Sequence, residues 1–370
     1  MSKGKTVSFL SLTIAYILML TFFTADALAS PRSSEMKTPH ERTDKGYYTI
    51  VDEKRNILHQ TAHMLTKGDE LITADNMRYR ITEVKGDYAY SRLIGKEEEG
   101  KLSTSSDKSF WSRLLAQGGE KNIGIYHTHS DESYVPSDGT ESIYGNGGIF
   151  KVGRVFAKKL KEMGYQVHHS TRAHDPHDVN AYYRSRRTAA QLLQNNLSAL
   201  FDIHRDAVPP QVYAANVKGQ EITKVKFVVG RTNPRFQSNL EFAKQLKAAV
   251  DKTHPGVVQG ILIAKSDFNQ DLAPRAMLVE VGSHTNSREA AERGVAMFAE
   301  ALPIVLGAPG APPSTELPDA ENRGSGWTIF WIILLVTAAA FAYLYVNTGS
   351  LEGALDQLRN LYGRLLKRKG

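Results

Sequence analysis

His127, His129, Asp131 and Glu132 fall within one short stretch, Tyr126-His127-Thr128-His129-Ser130-Asp131-Glu132-Ser133-Tyr134. His129 and Glu132 stand in an H-x-x-E spacing. Neutral imidazole nitrogen and carboxylate oxygen are ordinary zinc donors, and a catalytic zinc needs three protein ligands with one position left open. Two of the three are at hand here. The residues ahead of them, Ile123-Gly124-Ile125-Tyr126, alternate small and apolar side chains behind Gln117-Gly118-Gly119, which predicts a short buried strand. The donors then lie at the carboxyl edge of that strand, where the loops of an open α/β sheet splay apart and leave a crevice.

Two more strand ends carry matching chemistry. Leu200-Phe201-Asp202-Ile203-His204 is an apolar run ending on a histidine, and Leu278-Val279-Glu280-Val281-Gly282 holds a carboxylate inside an otherwise apolar run. Burying a lone carboxylate costs several kcal/mol unless it meets a proton, a cation or a metal. One zinc held by His129, Glu132 and His204, with Glu280 as the base that takes the proton of an attacking water, accounts for all of them. Bound zinc lowers the pKa of water to about 7 and polarises a carbonyl. A carboxylate base adds roughly 10²–10⁴-fold. Amide hydrolysis is the reaction class these groups suit. His127 competes with His129 and Glu132 for a place as ligand, or serves as a neighbour or core residue. The plainer readings are a strand cap for His204 and an ion pair with Arg275 or a helix arginine for Glu280.

The remaining elements must position this set. The chain has 370 residues, room for two modest domains and appendages, and no cysteine, which excludes disulfides, thiolate metal sites and a cysteine nucleophile. Its net charge of +7 is concentrated at the ends. Residues 1–29 and 347–370 contribute +4 of it, next to two apolar stretches, so the charge reads as membrane topology and not as nucleic-acid binding. Val7–Ala25 is an uncharged run behind Lys3 and Lys5, followed by a small-residue site at Ala27-Leu28-Ala29; residues 1–29 are an N-terminal anchor or a signal peptide. Residues 30–45 form a polar linker. Residues 46–107 begin with five short alternating segments separated by Gly, Asp and Asn turns, which predicts a small all-β domain.

Residues 108–307 alternate strands with helices, predicting a mostly parallel sheet with helices on both faces. The expected strands are 123–126, 166–169, 200–204, 225–229 and 276–281, and the expected helices 150–163, 179–195, 236–250 and 287–302. Residues 308–326 are a Pro-rich spacer, and 327–346 an uncharged transmembrane candidate with Trp327, Trp331, Tyr343 and Tyr345 towards its ends. Residues 347–370 form a basic amphipathic tail expected in the cytoplasm, which puts the two middle domains outside the membrane.

Five ordered blocks now carry a resemblance: Tyr126–Tyr134, Phe150-Lys151-Val152-Gly153, Phe201-Asp202-Ile203-His204-Arg205-Asp206, Asn269-Gln270-Asp271-Leu272 with Pro274-Arg275, and Leu278–Gly282. Together they closely resemble the stage II sporulation protein P family of membrane-anchored peptidoglycan hydrolases. The resemblance implies an amidase_3-like α/β fold and a zinc-dependent N-acetylmuramoyl-L-alanine amidase with endopeptidase activity on cross-linked stem peptides. It further implies a place in forespore engulfment, between the mother-cell and forespore membranes, beside a lytic transglycosylase and a membrane scaffold protein. It marks Arg205, Asn269, Gln270 and Arg275 as candidates for substrate contact. Related amidases carry a glutamate ligand just ahead of the first long helix, where this chain has Gly147-Gly148-Ile149, so Glu132 or Glu141 must serve instead. The rival readings are a zinc peptidase acting only on the stem peptide and an inactive wall-binding scaffold.

Overall fold

The computed structural model describes residues 41–42, 44–97, 121–307 and 309, with isolated positions between 348 and 356. The chain divides into two compact units, residues 1–313 and 314–370, and nearly all described residues belong to the first. Among the described residues no helix is long and apolar enough to cross a membrane. The apolar stretches 7–25 and 327–346, and most of the basic tail, lie outside them.

Five strands open the first unit: β1 (Tyr48–Val51), β2 (Ile57–Thr61), β3 (Glu70–Thr73), β4 (Met77–Lys85) and β5 (Tyr88–Lys96). Then come β6 (Asn122–Tyr126), α1 (Val135–Asp138), α2 (Ile149–Glu162), β7 (Gln166–His169), α3 (Ala181–Leu193) and β8 (Leu197–Asp206). A hairpin of β9 (Ala214–Val217) and β10 (Gln220–Thr223) precedes β11 (Val225–Gly230), α4 (Phe236–Thr253), β12 (Val258–Ala264), β13 (Ala276–Ser283) and α5 (Arg288–Leu306).

One eleven-stranded sheet runs β2-β1-β5-β4-β3-β12-β11-β13-β8-β6-β7. This corrects two expectations. The β-rich segment is not a separate sheet, because β3 pairs antiparallel with β12, with Ile72 opposite Ile261. The joining strand β12 was not anticipated from the sequence, although Ile261-Leu262-Ile263 is an apolar run of the buried-strand kind. Parallel pairing also holds only in part: β7, β6, β8 and β13 are mutually parallel, but β11 runs antiparallel to β13, and four of the pairs linking β12 to β2 include antiparallel ladders.

Alternation across the strands builds a core on each face. Phe227, Val229, Val279 and Val281 point to one, where Phe156 and Leu160 of α2, Phe242 and Leu246 of α4 and Phe298 of α5 pack on them. Helix α2 presents Ile149, Phe150, Val152, Gly153, Phe156 and Leu160 to that core, a spacing that repeats once per turn. On the other face, Val228, Leu262 and Leu278 share a cluster with Tyr48, Ile50, Leu65 and Leu71, and α3 covers Tyr126, Leu200 and Ala276. The N-terminal strands have no core of their own; their apolar side chains are buried against the same sheet that carries the site.

A buried ion pair ties the N-terminal strands to the site. Asp206, at the end of β8, accepts hydrogen bonds from Ala62 N (2.9 Å), Thr61 Oγ1 (3.1 Å) and the Tyr213 hydroxyl (3.0 Å), and pairs with fully buried Lys226 of β11. Burial alone would raise the Asp206 carboxyl, but Lys226 holds it well below the usual carboxylate range. Removing one partner of such a pair strands the other charge, at a cost of about 3–5 kcal/mol. Lys226→Met should therefore lower stability by about that amount, read as a shift of the urea midpoint at unchanged slope.

Candidate active site

Strand register assembles the polar groups. In β8 and β13, Asp202 lies beside Leu278 and His204 beside Glu280; in β11, Lys226 lies beside Glu280. His204, Glu280 and Lys226 thus form a polar row across three neighbouring strands on the face that carries the N-terminal segment. β6 ends at Tyr126, next to Asp202, and releases the 127–134 loop directly above the row.

That loop is tightly held. Glu132 Oε2 accepts from Arg205 N (2.9 Å), Arg205 Nη2 donates to Glu141 O (3.0 Å), and Tyr134 OH donates to Val281 O (2.9 Å). Gly147 passes so close that a β-carbon there would sit 2.4 Å from the Glu132 carbonyl oxygen, and Ile149 N donates to that same oxygen. The Gly147-Gly148 turn is thus the support for the loop that presents Glu132. Backbone cannot yield as a side-chain tip can, so Gly147→Ala should cost about 1–3 kcal/mol and displace Glu132, seen as weaker zinc binding in a competition titration.

His129 Nδ1 lies 3.1 Å from Glu132 Oε1, and His204 Nδ1 lies 3.4 Å from the same oxygen. Glu41 joins them, its Oε1 3.4 Å from His129 Nδ1. One donor atom from each of these four residues falls within 4.8 Å of the others, and His129, Glu132 and His204 are buried. A divalent cation fits this set on three observations. His204 Nδ1 and Glu41 Oε1 are buried with no hydrogen-bond partner among the described residues. His204 Nε2 lies 2.9 Å from Asp202 Oδ1, the carboxylate backing that commonly orients a ligating imidazole. Asp202 is itself fixed by Thr128 N (2.8 Å). Third, burial and the neighbouring His177 push His129 well below its ordinary pKa, leaving the neutral ring a metal requires. Burial would do the same to His204, but Asp202 and Glu132 outweigh it and push His204 well above. That proton is the one a cation displaces.

Around the cluster, His177 stacks on His129 with ring centroids 3.8 Å apart and bonds Asp131 through Nδ1 (3.1 Å). Burial opposes its charge, yet Asp131 and Glu41 push its pKa up to about 10. His129, Glu41, His177, Tyr182, Arg205 and His284 line a cleft of about 500 Å³, within the usual size of a ligand site.

Glu280 sits beside this cluster, its carboxylate 2.8 Å from His63 Nε2 through Oε1, while Oε2 is buried without a hydrogen-bond partner among the described residues. Burial raises the Glu280 carboxyl above its ordinary value, and the His63 contact opposes that shift. Glu41, His63 and Glu280 form a second group of close donors, so Glu41 stands between the two sets.

The structure brings together His129, Glu132, His204 and Glu280, and leaves other candidates outside. His127 turns away, with Nδ1 bonded to Ile203 O (2.9 Å) and Nε2 to His169 (2.9 Å). Glu141 is half exposed on the cleft rim and pairs with Lys45. Arg205 lines the cleft, but its hydrogen bonds hold the loop backbone. Asn269 and Gln270 spend their side chains on Tyr182 O, Ser185, Val228 O and Gly230 N, so they brace the sheet instead of facing substrate. Arg275 precedes β13, at the opposite end of that strand from the cleft, and lines a separate small cavity with Leu193 and Leu197.

A model of the stage II sporulation protein P family matches residues 37–303. The chain belongs to that family. It is 29% identical over 229 residues to stage II sporulation protein P of Bacillus subtilis (strain 168), an overlap of 55% of this chain and 57% of that relative. The chain therefore spans little more than half the length of the relative it matches. Two solved structures are also similar: the N-acetylmuramoyl-L-alanine amidase of Clostridium difficile 630 (18% identity, TM-score 0.32, 51% of this chain and 94% of the other) and the CwlD amidase of Clostridioides difficile in complex with the GerS lipoprotein (15%, 0.35, 51% and 96%). At those scores the likeness carries nothing about the site.

The family match begins at residue 37 and so takes in Glu41, which the sequence reading assigns to a linker. Glu41, His63 and His177 were all missed, Glu41 and His177 lying in polar stretches with no flanking periodicity and His63 just past a strand. Pro39-His40-Glu41-Arg42 and Asp175-Pro176-His177 look like solvated turns, and His63 follows a strand in an ordinary way. The one usable signal was the surplus of histidines, 12 in the chain, beyond what a three-ligand site consumes.

Proposed function

We propose that this member of the family is a zinc-dependent peptidoglycan hydrolase that cleaves the amide between N-acetylmuramic acid and L-alanine, with endopeptidase action on cross-linked stems. The observation that supports it best is the convergence of His129, Glu132 and His204 within metal-bonding reach, beside a buried glutamate with one carboxylate oxygen unpartnered among the described residues. Zinc, when bound, supplies the Lewis acidity that polarises the scissile carbonyl and acidifies water. The residues do the rest. Glu280 Oε2 takes the proton of the attacking water and returns it to the departing amine. Asp202 and the Arg205 amide keep His204 and Glu132 from turning away. The cleft is lined by both charge signs, Lys45 and Arg205 against Glu41, Asp131 and Glu141, which suits a substrate carrying carboxylates and amines as stem peptides do.

On this reading the chain acts in sporulation, at engulfment, outside the membrane that its apolar stretches enter, with a lytic transglycosylase and a membrane scaffold as expected partners. The test is digestion of purified sacculi by the full chain. Free muramoyl lactyl groups together with L-alanine amines support the amidase, cuts confined to the stem support the peptidase reading, and no new ends with no bound zinc support the scaffold.

A further inference from the structure

The N-terminal strands place one histidine against the base. His63 leaves the end of β2 and its Nε2 reaches Glu280 Oε1 at 2.8 Å, with both side chains 1% exposed. His63 Nδ1 has no partner among the described residues, so the ring makes its polar contact through Nε2, the nitrogen placed to donate to the Glu280 carboxylate. The ring is locked from several sides. Its edge meets Phe268 at 5.8 Å, His63 N donates to Thr61 Oγ1, and Thr61 is held by Asp206 and by Lys226 Nζ (3.0 Å). Strand end, ion pair and base are therefore one connected unit drawn from β2, β8, β11 and β13.

We infer, on the strength of the hydrolase reading, that His63 is the positioning residue of Glu280: its Nε2–H occupies Oε1 and so leaves Oε2, which has no partner among the described residues, as the proton-accepting oxygen. This gives the β-rich segment a role that the sequence left open. It completes the catalytic apparatus from outside the α/β portion, and a chain that starts after residue 97 would retain the zinc ligands His129, Glu132 and His204 but lack the group that orients the base. A buried carboxylate with neither oxygen held has two rotamers and no preferred face, and loss of such a partner commonly costs about 10–100-fold.

The experiment compares full-length wild type, His63→Ala and His63→Gln on a soluble muramoyl-peptide, with zinc content measured on each. The expected result is a fall in kcat of about 10–100-fold for His63→Ala at unchanged KM and zinc content. His63→Gln, whose amide still donates to Oε1, should recover most of it. In a Glu280→Gln background, His63→Ala should add no further loss, because the group it orients is gone. Full kcat in His63→Ala would overturn the inference, and so would an equal loss in the alanine and glutamine variants at retained zinc. If His63→Ala fails to fold, the glutamine variant and its asparagine counterpart decide: His63→Asn, too short to reach Oε1, should lose kcat where His63→Gln does not. An inactive wild type would strike at the hydrolase reading instead, and the coupling of His63→Ala with Glu280→Gln in urea denaturation would still report whether the contact exists.

Discussion

On the proposed zinc hydrolase reading, Glu280→Gln should lower the rate of sacculus hydrolysis by roughly 10²–10⁴-fold and leave the zinc content of the protein unchanged. The size follows from removing a buried carboxylate placed beside the cluster to take a proton: glutamine keeps the shape and still accepts from His63 through its amide oxygen, but its other terminal atom cannot act as a base. The selectivity follows from geometry, because the four close donors that include His129 and His204 do not include Glu280. The measurements are release of new amines from sacculi and metal analysis of the same preparation. Retained activity would remove Glu280 from the mechanism. Lost zinc would instead make it a ligand, which the nearness of Glu41 to both donor groups makes a pointed comparison.

The second large effect belongs to His204. His204→Ala removes one of two imidazoles from the proposed His₂Glu set and also leaves Asp202 and Glu132, both buried, without the cation or proton between them. Zinc affinity should fall by more than the roughly 10–100-fold that loss of an outer partner costs, and sacculus hydrolysis should fall to background. A ligand present at about 1,000 times its Kd stabilises a fold by about 4 kcal/mol, so the wild type should melt lower after chelation while His204→Ala melts the same with and without chelator. A chelator-independent melting temperature in the wild type would argue against a metal centre at this position. The same comparison on His127→Ala should show nearly wild-type zinc content, since both ring nitrogens of His127 are spent on Ile203 O and His169.

The chain by itself determined the α/β alternation, the strand ends that carry His129, Glu132, His204 and Glu280, and the five N-terminal strands. Those features are local. An apolar run that stops at a donor, or a helix face repeating Ile149, Val152, Phe156 and Leu160, is visible in a window of a few residues because burial on one face imposes a period. The family, too, was legible: the five blocks between residues 126 and 282 resemble the family whose model matches residues 37–303.

What only the tertiary structure decided lies in contacts between segments far apart in the chain. Whether His127 or His129 faces the donor cluster depends on which side of the β6 end packs against α2, and no spacing rule states that. The N-terminal strands looked independent because their turns and alternation are complete in themselves, yet β3 finds its partner in β12 some 190 residues later, and Leu65 and Tyr48 bury themselves against Val228 and Leu278. Asn269, Gln270 and Arg275 read as substrate contacts because motif residues near a site invite that assignment, but the buried amides of Asn269 and Gln270 are taken up by backbone and Ser185, and Arg275 lies at the other end of its strand. Glu41 and His63 reach the site through the same long-range packing: the linker and the N-terminal strands lie on the sheet that carries the donors, and no local pattern states a pairing between segments so far apart.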